Sequence, residues 1–382
     1  MSNARREEPR PAGGGVPLGR VLGVPVYLSL STLVLIVIIA ITYSGSVHSS
    51  VPALSTSQTY AVAVVFALLL LVSVFLHELG HSLISQTVGV RVRSITLMML
   101  GGVTVTEGEA RDPGRSCLIS AAGPLVSLFL SCVGALITRF FEPGTVAYVI
   151  SAQVTVTNLL VTAFNLLPGL PLDGGQLLRS GVWRITGSRH TGTIAAAWAG
   201  RVLAGLLVVA ALLTARLDRS VGAYGLLFSL FIALYMWQGA SQSLRMAELH
   251  RRLPRLQAGS MARPAVGVPA ETPLSEALRR LGETGARGIV VVDRDGHPGA
   301  VVIEEAVAAT PEQRRPWISV SAVARGLDAG LLLPADLAGE DVLQAIQSNP
   351  ASEYVVVDRA GRLVGVLATA DVAAVLDPAA AR

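Results

Sequence analysis

Long apolar runs broken by short polar stretches dominate the chain up to residue 243, and beyond that point the pattern changes abruptly. A membrane-spanning helix needs about 20 mostly apolar residues. Six segments meet that expectation: 25–42, 60–87, 117–137, 147–167, 193–214 and 222–243. The fifth carries Arg201 at mid-span, read as snorkelling or as bonded to a backbone carbonyl. Between the second and third the rhythm is different. Val90-Arg91-Val92-Arg93-Ser94-Ile95-Thr96 alternates apolar and polar positions, and Gly101-Gly102-Val103-Thr104-Val105-Thr106 follows, which predicts short strands around a Gly-Gly bend.

After residue 243, the basic, Pro-containing stretch 249–263 reads as a linker. The remainder contains an internal repeat: Ile289-Val290-Val291-Val292-Asp293-Arg294-Asp295-Gly296 is matched by Tyr354-Val355-Val356-Val357-Asp358-Arg359-Ala360-Gly361. Each copy follows a short amphipathic helix (274–281 and 340–346) and precedes a second strand (299–303 and 363–367). Two copies of helix–strand–turn–strand predict a pseudo-symmetric α/β pair. The expected organisation is a flexible N-terminus over 1–20, a six-span domain over 21–248, the linker, and repeats over 264–315 and 316–382.

Composition agrees with an integral membrane protein bearing a soluble appendage, since 52% of residues are hydrophobic and only 15% charged. All 30 basic residues are Arg, and the formal charge of +4 with no Arg cluster among aromatics argues against a nucleic-acid partner. Cys117 and Cys132 fall in one expected helix, roughly 22 Å apart at ~1.5 Å per residue, so no disulfide joins them. The N-terminal segment with Arg5, Arg6, Arg10 and Arg20 has no convincing cleavage site and reads as a retained anchor. Loop charge sets orientation. One side of the six spans receives Arg91, Arg93, Arg111, Arg115 and the arginines of 179–189 and 245–255, the other only Arg139, Arg216 and Arg219, which places both termini in the cytoplasm.

The candidate chemistry lies at the inner end of the second span. His77-Glu78-Leu79-Gly80-His81 follows a stretch, 60–76, with no charged residue. H-E-x-x-H on a helix sets two imidazoles on one face where both can bind one zinc ion, with the Glu placed as general base. A catalytic zinc needs a third protein ligand. Asp173 is the candidate, following Pro168 and Pro171, which end the fourth span, and preceding Gly174-Gly175, which permit a tight bend. Irregular backbone at membrane depth must be buried in protein or line a wet cavity, so this break can meet the histidines. Read alone, Asp173 is better taken as an ordinary turn or cap residue. Thr155, Asn158, Thr162 and Asn165 share one helix face, which should look into the bundle. Asn165 could bond a substrate carbonyl or its developing oxyanion, or merely satisfy backbone freed by Pro168.

The HELGH helix, the distal Asn-x7-Asp-Gly-Gly segment and Ala122-Gly123-Pro124 opening the third span together resemble the site-2 proteases, the intramembrane zinc metalloproteases of peptidase family M50. The C-terminal repeat resembles a tandem cystathionine β-synthase (CBS) pair, and the resemblance covers nearly the whole chain from about Arg20. It implies a polytopic α-helical membrane protein of six spans with a membrane-associated β-hairpin, followed by an α/β tandem CBS domain pair. It implies one catalytic Zn2+ on His77, His81 and Asp173, Glu78 as base, Asn165 as the active-site Asn, and Gly101-Gly102 as a strand that aligns unwound substrate. It further implies a cell-membrane location and a single-pass substrate, such as an anti-sigma factor or a signal-peptide remnant, cut after an earlier extracellular cleavage. The competing reading is a non-catalytic membrane scaffold or transporter-like sensor gated by the CBS pair. CBS pairs that bind adenosine ligands usually carry a hydroxyl residue three after the strand Gly and an Asp three further on. Here Gly365 leads to Ala368 and Asp371 with Thr369 displaced by one, and Gly299 leads to Val302 and Glu305. Only Asp371 matches, which leaves open an adenine nucleotide site and a regulatory scaffold that pairs as a homodimer.

Overall fold

The computed structural model describes residues 15–99, 101–217 and 222–376. The chain divides into two compact units, Met1–Arg245 and Met246–Arg382.

The first unit combines a sheet with a helical bundle. Its strands are β1 (Gly15–Val21), β2 (Val24–Ser29), β3 (Arg91–Met98) and β4 (Gly101–Glu107), in the spatial order β1-β2-β3-β4. The expected hairpin is present as the antiparallel pair β3–β4, with Ile95 opposite Thr104 and Leu97 opposite Gly102. It is extended into a four-stranded sheet because β2 adds parallel to β3 and β1 folds back antiparallel on β2. Two expectations change accordingly. Gly15–Val21, inside the segment expected to be flexible, is strand β1, while 1–14 lies outside the described residues. The first span starts at Leu30 and not at residue 25, because Val24–Ser29 is strand β2, with Val24 and Val26 buried. Gly101-Gly102 is also not a bend. Both residues lie on β4, whose pairing begins with Met98 opposite Gly101.

Helices α1 (Leu30–Ser50), α2 (Thr56–Thr87), α3 (Pro113–Thr138), α4 (Val146–Asn165), α5 (Asp173–Thr186), α6 (Arg189–Leu217) and the part of α7 (Gly222–Arg252) up to Arg245 complete the unit. The starts of α1 to α4 are capped by side chains. Ser55 and Gln58 form a reciprocal capping box on α2, and Asp112 accepts from the Arg115 amide ahead of Pro113 on α3. Five helices among the described residues (α1, α2, α3, α4 and most of α6) are long and apolar enough to cross a membrane. The sixth expected span, 222–243, is helical within α7, which also carries the polar segment up to Arg252. The amphipathic α5 was not foreseen from the sequence.

The bundle buries polar side chains along with apolar ones and turns many large apolar residues outward. Ser73, Ser85, Ser127, Ser131, Asn158 and Thr162 are buried, whereas Leu33, Val37, Leu68, Phe129, Leu159 and Leu206 face outward. In water such outward apolar surface would cost about 25 cal/mol per Å2, a penalty absent in hydrocarbon. Some of these inward polar groups bond across helices: Asn158 Nδ2 donates to Ser73 Oγ at 3.1 Å and Ser131 Oγ to the Thr155 carbonyl at 2.9 Å. Arg201 is accommodated differently from the expectation. Its guanidinium lies 5.0 Å from the ring centres of both Trp198 and Trp237 and donates to Ser241 Oγ at 3.0 Å, a cation–π sandwich joining α6 and α7.

The second unit repeats one motif twice. Strand β5 (Ala265–Val268), helix α9 (Leu274–Thr284), strands β6 (Gly288–Val292) and β7 (Pro298–Val302) and helix α10 (Glu304–Ala308) form the first copy. Strand β9 (Leu332–Pro334), helix α11 (Glu340–Ser348), strands β10 (Glu353–Val357) and β11 (Leu363–Ala368) and helix α12 (Thr369–Leu376) form the second. In both, the first strand pairs parallel with the second and the second antiparallel with the third; β8 (Ala324–Gly326) adds to the first sheet. Val290 and Val355, at matched repeat positions, share one buried cluster with Val366. The expected linker is part of this unit. Leu256 and Ala258, at the start of helix α8 (Ala258–Met261), are fully buried against Tyr354 and Leu367, and Arg263 exchanges backbone hydrogen bonds with Val366. Two well-placed apolar side chains outweighed the basic, Pro-containing composition of the stretch.

Candidate metal centre and active site

Helix α2 positions the motif. His77 and His81 lie one turn apart, and their Nε2 atoms face each other at 3.2 Å. Each ring is oriented through its other nitrogen. His77 Nδ1 is 2.9 Å from Ser127 Oγ, and His81 Nδ1 donates to the Ile119 carbonyl at 2.7 Å, both partners lying on α3. Such outer partners select the tautomer and aim the remaining nitrogen. The aim converges on Asp173, whose Oδ2 lies 3.1 Å from His77 Nε2 and 3.3 Å from His81 Nε2.

Asp173 opens α5 and is not part of a loop bend. The chain between α4 and α5 is anchored by the Leu170 amide bonding the Ala196 carbonyl at 3.0 Å, with Leu170 buried beside Ala196 and Ala197. Gly174-Gly175 serve close approach and not a bend: a Cβ on Gly174 would fall 2.3 Å from the Leu166 carbonyl oxygen, and one on Gly175 would fall 2.3 Å from Gly169. Across the site, a Cβ on Gly123 would lie 2.2 Å from His81 Nε2 and 2.5 Å from His77 Nε2, so α3 can approach the imidazoles only without a side chain.

Glu78 is buried on the same helix and points to strand β4. Thr104 Oγ1 donates to Glu78 Oε2 at 2.7 Å, and a Cβ on Gly102 would collide with the Glu78 side chain at 2.2 Å. Two cavities meet here. An apolar one of about 410 Å3 is lined by His77, Glu78, Gly101, Gly102, Phe164 and Asn165. A polar one of about 380 Å3 is lined by Glu78, His81, Gly102, Thr104, Asp173 and Arg179 among others. The site candidates His77, Glu78, His81, Gly101, Gly102, Asn165 and Asp173 thus border one region. Sequence reasoning missed Ser127, Ile119 and Thr104. Thr104 could have been found, because two residues after Gly102 on a strand is the same face; Ser127 and Ile119 carry no local signal.

The C-terminal candidate stands apart from this geometry. Asp371 is gripped by Arg263, whose Nε donates to Asp371 Oδ2 at 2.6 Å while a terminal nitrogen bonds the other oxygen. The displaced hydroxyl of Thr369 donates to the Ala351 carbonyl at 2.6 Å.

Comparison with known proteins identifies the family. Residues 65–155 and 142–210 match the model of peptidase family M50, and 257–308 match the CBS domain. A Mycobacterium tuberculosis protein named as a zinc metalloprotease, Rip3, is 31% identical over 372 residues, covering 95% of this chain and 93% of its own. The chain belongs to peptidase family M50, the site-2 proteases. It is a zinc metalloprotease with a CBS domain, and like its family a multi-pass membrane protein. A Synechocystis protein, sll0528, also named as a zinc metalloprotease, is 28% identical over 96% of both chains. A solved site-2 protease from Methanocaldococcus jannaschii is 27% identical, matching 60% of this chain and 95% of its own at a TM-score of 0.43.

The donors of this M50 chain fit a zinc ion. Four ligands at about 2.0–2.1 Å around a tetrahedral zinc stand roughly 3.3 Å from one another. The three separations among His77 Nε2, His81 Nε2 and Asp173 Oδ2 are 3.1, 3.2 and 3.3 Å. Two imidazoles and one carboxylate leave one corner open, as catalytic and not structural zinc requires.

Proposed function

We propose that this protein is an intramembrane zinc endopeptidase that cuts a membrane-embedded segment of a partner protein. In this reading His77, His81 and Asp173 are the metal ligands and Glu78 is the general base. The single observation that carries the assignment is the near-tetrahedral spacing of the three donors, 3.1–3.3 Å. A zinc ion held there supplies Lewis acidity, acidifying water and polarising a carbonyl.

The chain's own residues do the rest. Glu78 takes a proton from the attacking water as its oxygen bonds to the scissile carbon, and returns it to the leaving nitrogen as the C–N bond breaks. Thr104 donates to one carboxylate oxygen and so directs the other. Asn165, across the apolar cavity from the motif, donates to the carbonyl oxygen as charge develops. A helical peptide carbonyl is already hydrogen-bonded, so the substrate must be extended, and the edge strand β4 offers Gly101-Gly102 as pairing partner.

The substrate class is a single-pass membrane protein, such as an anti-sigma factor or a signal-peptide remnant, in the cell membrane, with both termini of this chain cytoplasmic if α7 is the sixth span. The CBS pair acts as a regulatory scaffold that can pair two chains. This is favoured over a nucleotide site because Arg263 already occupies Asp371.

Purified wild type should contain one zinc per chain and cleave a designed transmembrane substrate. Glu78→Gln should keep the metal and lose at least about a hundredfold in rate. His77→Ala, His81→Ala and Asp173→Ala should lose the metal itself. Cleavage by Glu78→Gln at the wild-type rate, or metal-free wild type, would sink the reading.

A further inference from the structure

The polar cavity contains two anomalies. Gln176 Oε1 and Arg179 Nε are buried without a hydrogen-bond partner. On α5, Gln176 follows Asp173 by three residues and Arg179 by six, and all three side chains line this one cavity. Arg179 has only a neutral partner, donating to Ser116 Oγ at 3.3 Å, and no carboxylate stands within ion-pair distance of it among the described residues. The neighbouring Arg189 is already matched by Glu109. Glu109 attracts Arg179 only at longer range, so among the described residues the Arg179 guanidinium has no direct counter-ion and its Nε no acceptor.

Strand β4 connects this charge to the reaction. Gly101 and Gly102 line the apolar cavity, while Gly102, Thr104 and Thr106 line the polar one. A substrate strand paired along β4 would have its membrane half in the first and its membrane-leaving half in the second. Arg179 lies about 9 Å along α5 from Asp173 at ~1.5 Å per residue, a distance that an extended chain covers in about three residues.

We propose that Arg179 binds an acidic side chain of the substrate, about two to four residues from the scissile bond on the side that leaves the membrane. Arg179 Nε donates to that carboxylate, and Gln176 Oε1 accepts a main-chain N–H of the same segment. This rests on the protease reading above and adds a specificity determinant to it.

The test uses the full-length protein in lipid vesicles and three designed single-pass substrates that differ only by Glu, Gln or Arg three residues from the cut. Wild type should favour Glu over Gln by roughly ten- to hundredfold in kcat/KM, mainly through KM, with Arg poorest. Arg179→Gln should bring the Glu-to-Gln ratio to about one, and Arg179→Glu should favour the Arg substrate. Equal kcat/KM on all three substrates in wild type overturns the proposal whatever the variants do. Failure of the protease reading has a different signature, either no cleavage of any substrate or full cleavage by Glu78→Gln. In that event anisotropy with labelled substrates on Glu78→Gln protein still reads the charge preference without turnover, and equal binding of the three rejects it.

Discussion

His77 and His81 each commit Nδ1 to a partner on α3, which frees Nε2 to face Asp173. Of the two partners, the Ile119 carbonyl belongs to the backbone, whereas Ser127 can be changed without touching a ligand. Ser127→Ala should lower zinc affinity about 10–100-fold, measured by competition with a chromogenic chelator, while leaving the helical content intact. An unchanged affinity would mean that the His77 ring is oriented by packing alone. Gly123 acts at the same scale by omission, since any Cβ there would enter the space of both Nε2 atoms.

At the scale of elements, two short pieces do what the long spans cannot. Strand β4 brings Thr104 and Gly102 onto Glu78, and α5 starts on Asp173, so the proposed third ligand is delivered by a helix terminus with fixed backbone. In the second unit the turns after β6 and β10 touch each other. His297 Nε2 lies 3.1 Å from the Ala360 carbonyl while Nδ1 lies 3.3 Å from Asp293 Oδ2. Neutral imidazole has one N–H, and only the imidazolium can donate to both acceptors. The Ala360 carbonyl and the Asp293 carboxylate accordingly hold the His297 pKa above its ordinary value. The folded state binds this proton more tightly than the unfolded chain. The stabilisation is therefore complete below about pH 6.5 and fades as pH rises through the raised folded value. Thermal melts should show the C-terminal unit losing stability from pH 6 to 8.5, by a small amount because the pair is exposed. His297→Gln should flatten that dependence, and a slope that persists in the variant would assign it to other groups.

At the scale of the whole molecule, the bundle buries polar residues among its apolar ones and turns many large apolar side chains outward, and the only acid in α2 sits where two cavities meet. The C-terminal unit is a doubled fold whose one nucleotide-like residue, Asp371, is held by Arg263. AMP at millimolar concentration should therefore leave the melting temperature of wild type unchanged. A shift that Asp371→Ala removes would restore the nucleotide-sensing alternative. The spans, the H-E-x-x-H helix and the doubled C-terminal motif were legible from the sequence because each is a local pattern: a run of apolar residues, an i,i+4 pair, a repeated apolar strand ending in Asp. Asp173 was legible only as a suspicion, since a D-G turn looks the same. Strands β1 and β2, the packed stretch around Leu256, helix α5, and the partners Ser127, Ile119 and Thr104 were not. Each takes its role from residues tens of positions away: β2 needs β3, Leu256 needs Tyr354, His77 needs Ser127. By itself the sequence determined which residues could bind metal, at the end of an uncharged apolar run long enough to cross a membrane. Tertiary packing alone decided that three donors stand 3.1–3.3 Å apart, because that separation depends on how closely α3, held to a glycine, and α5 approach α2.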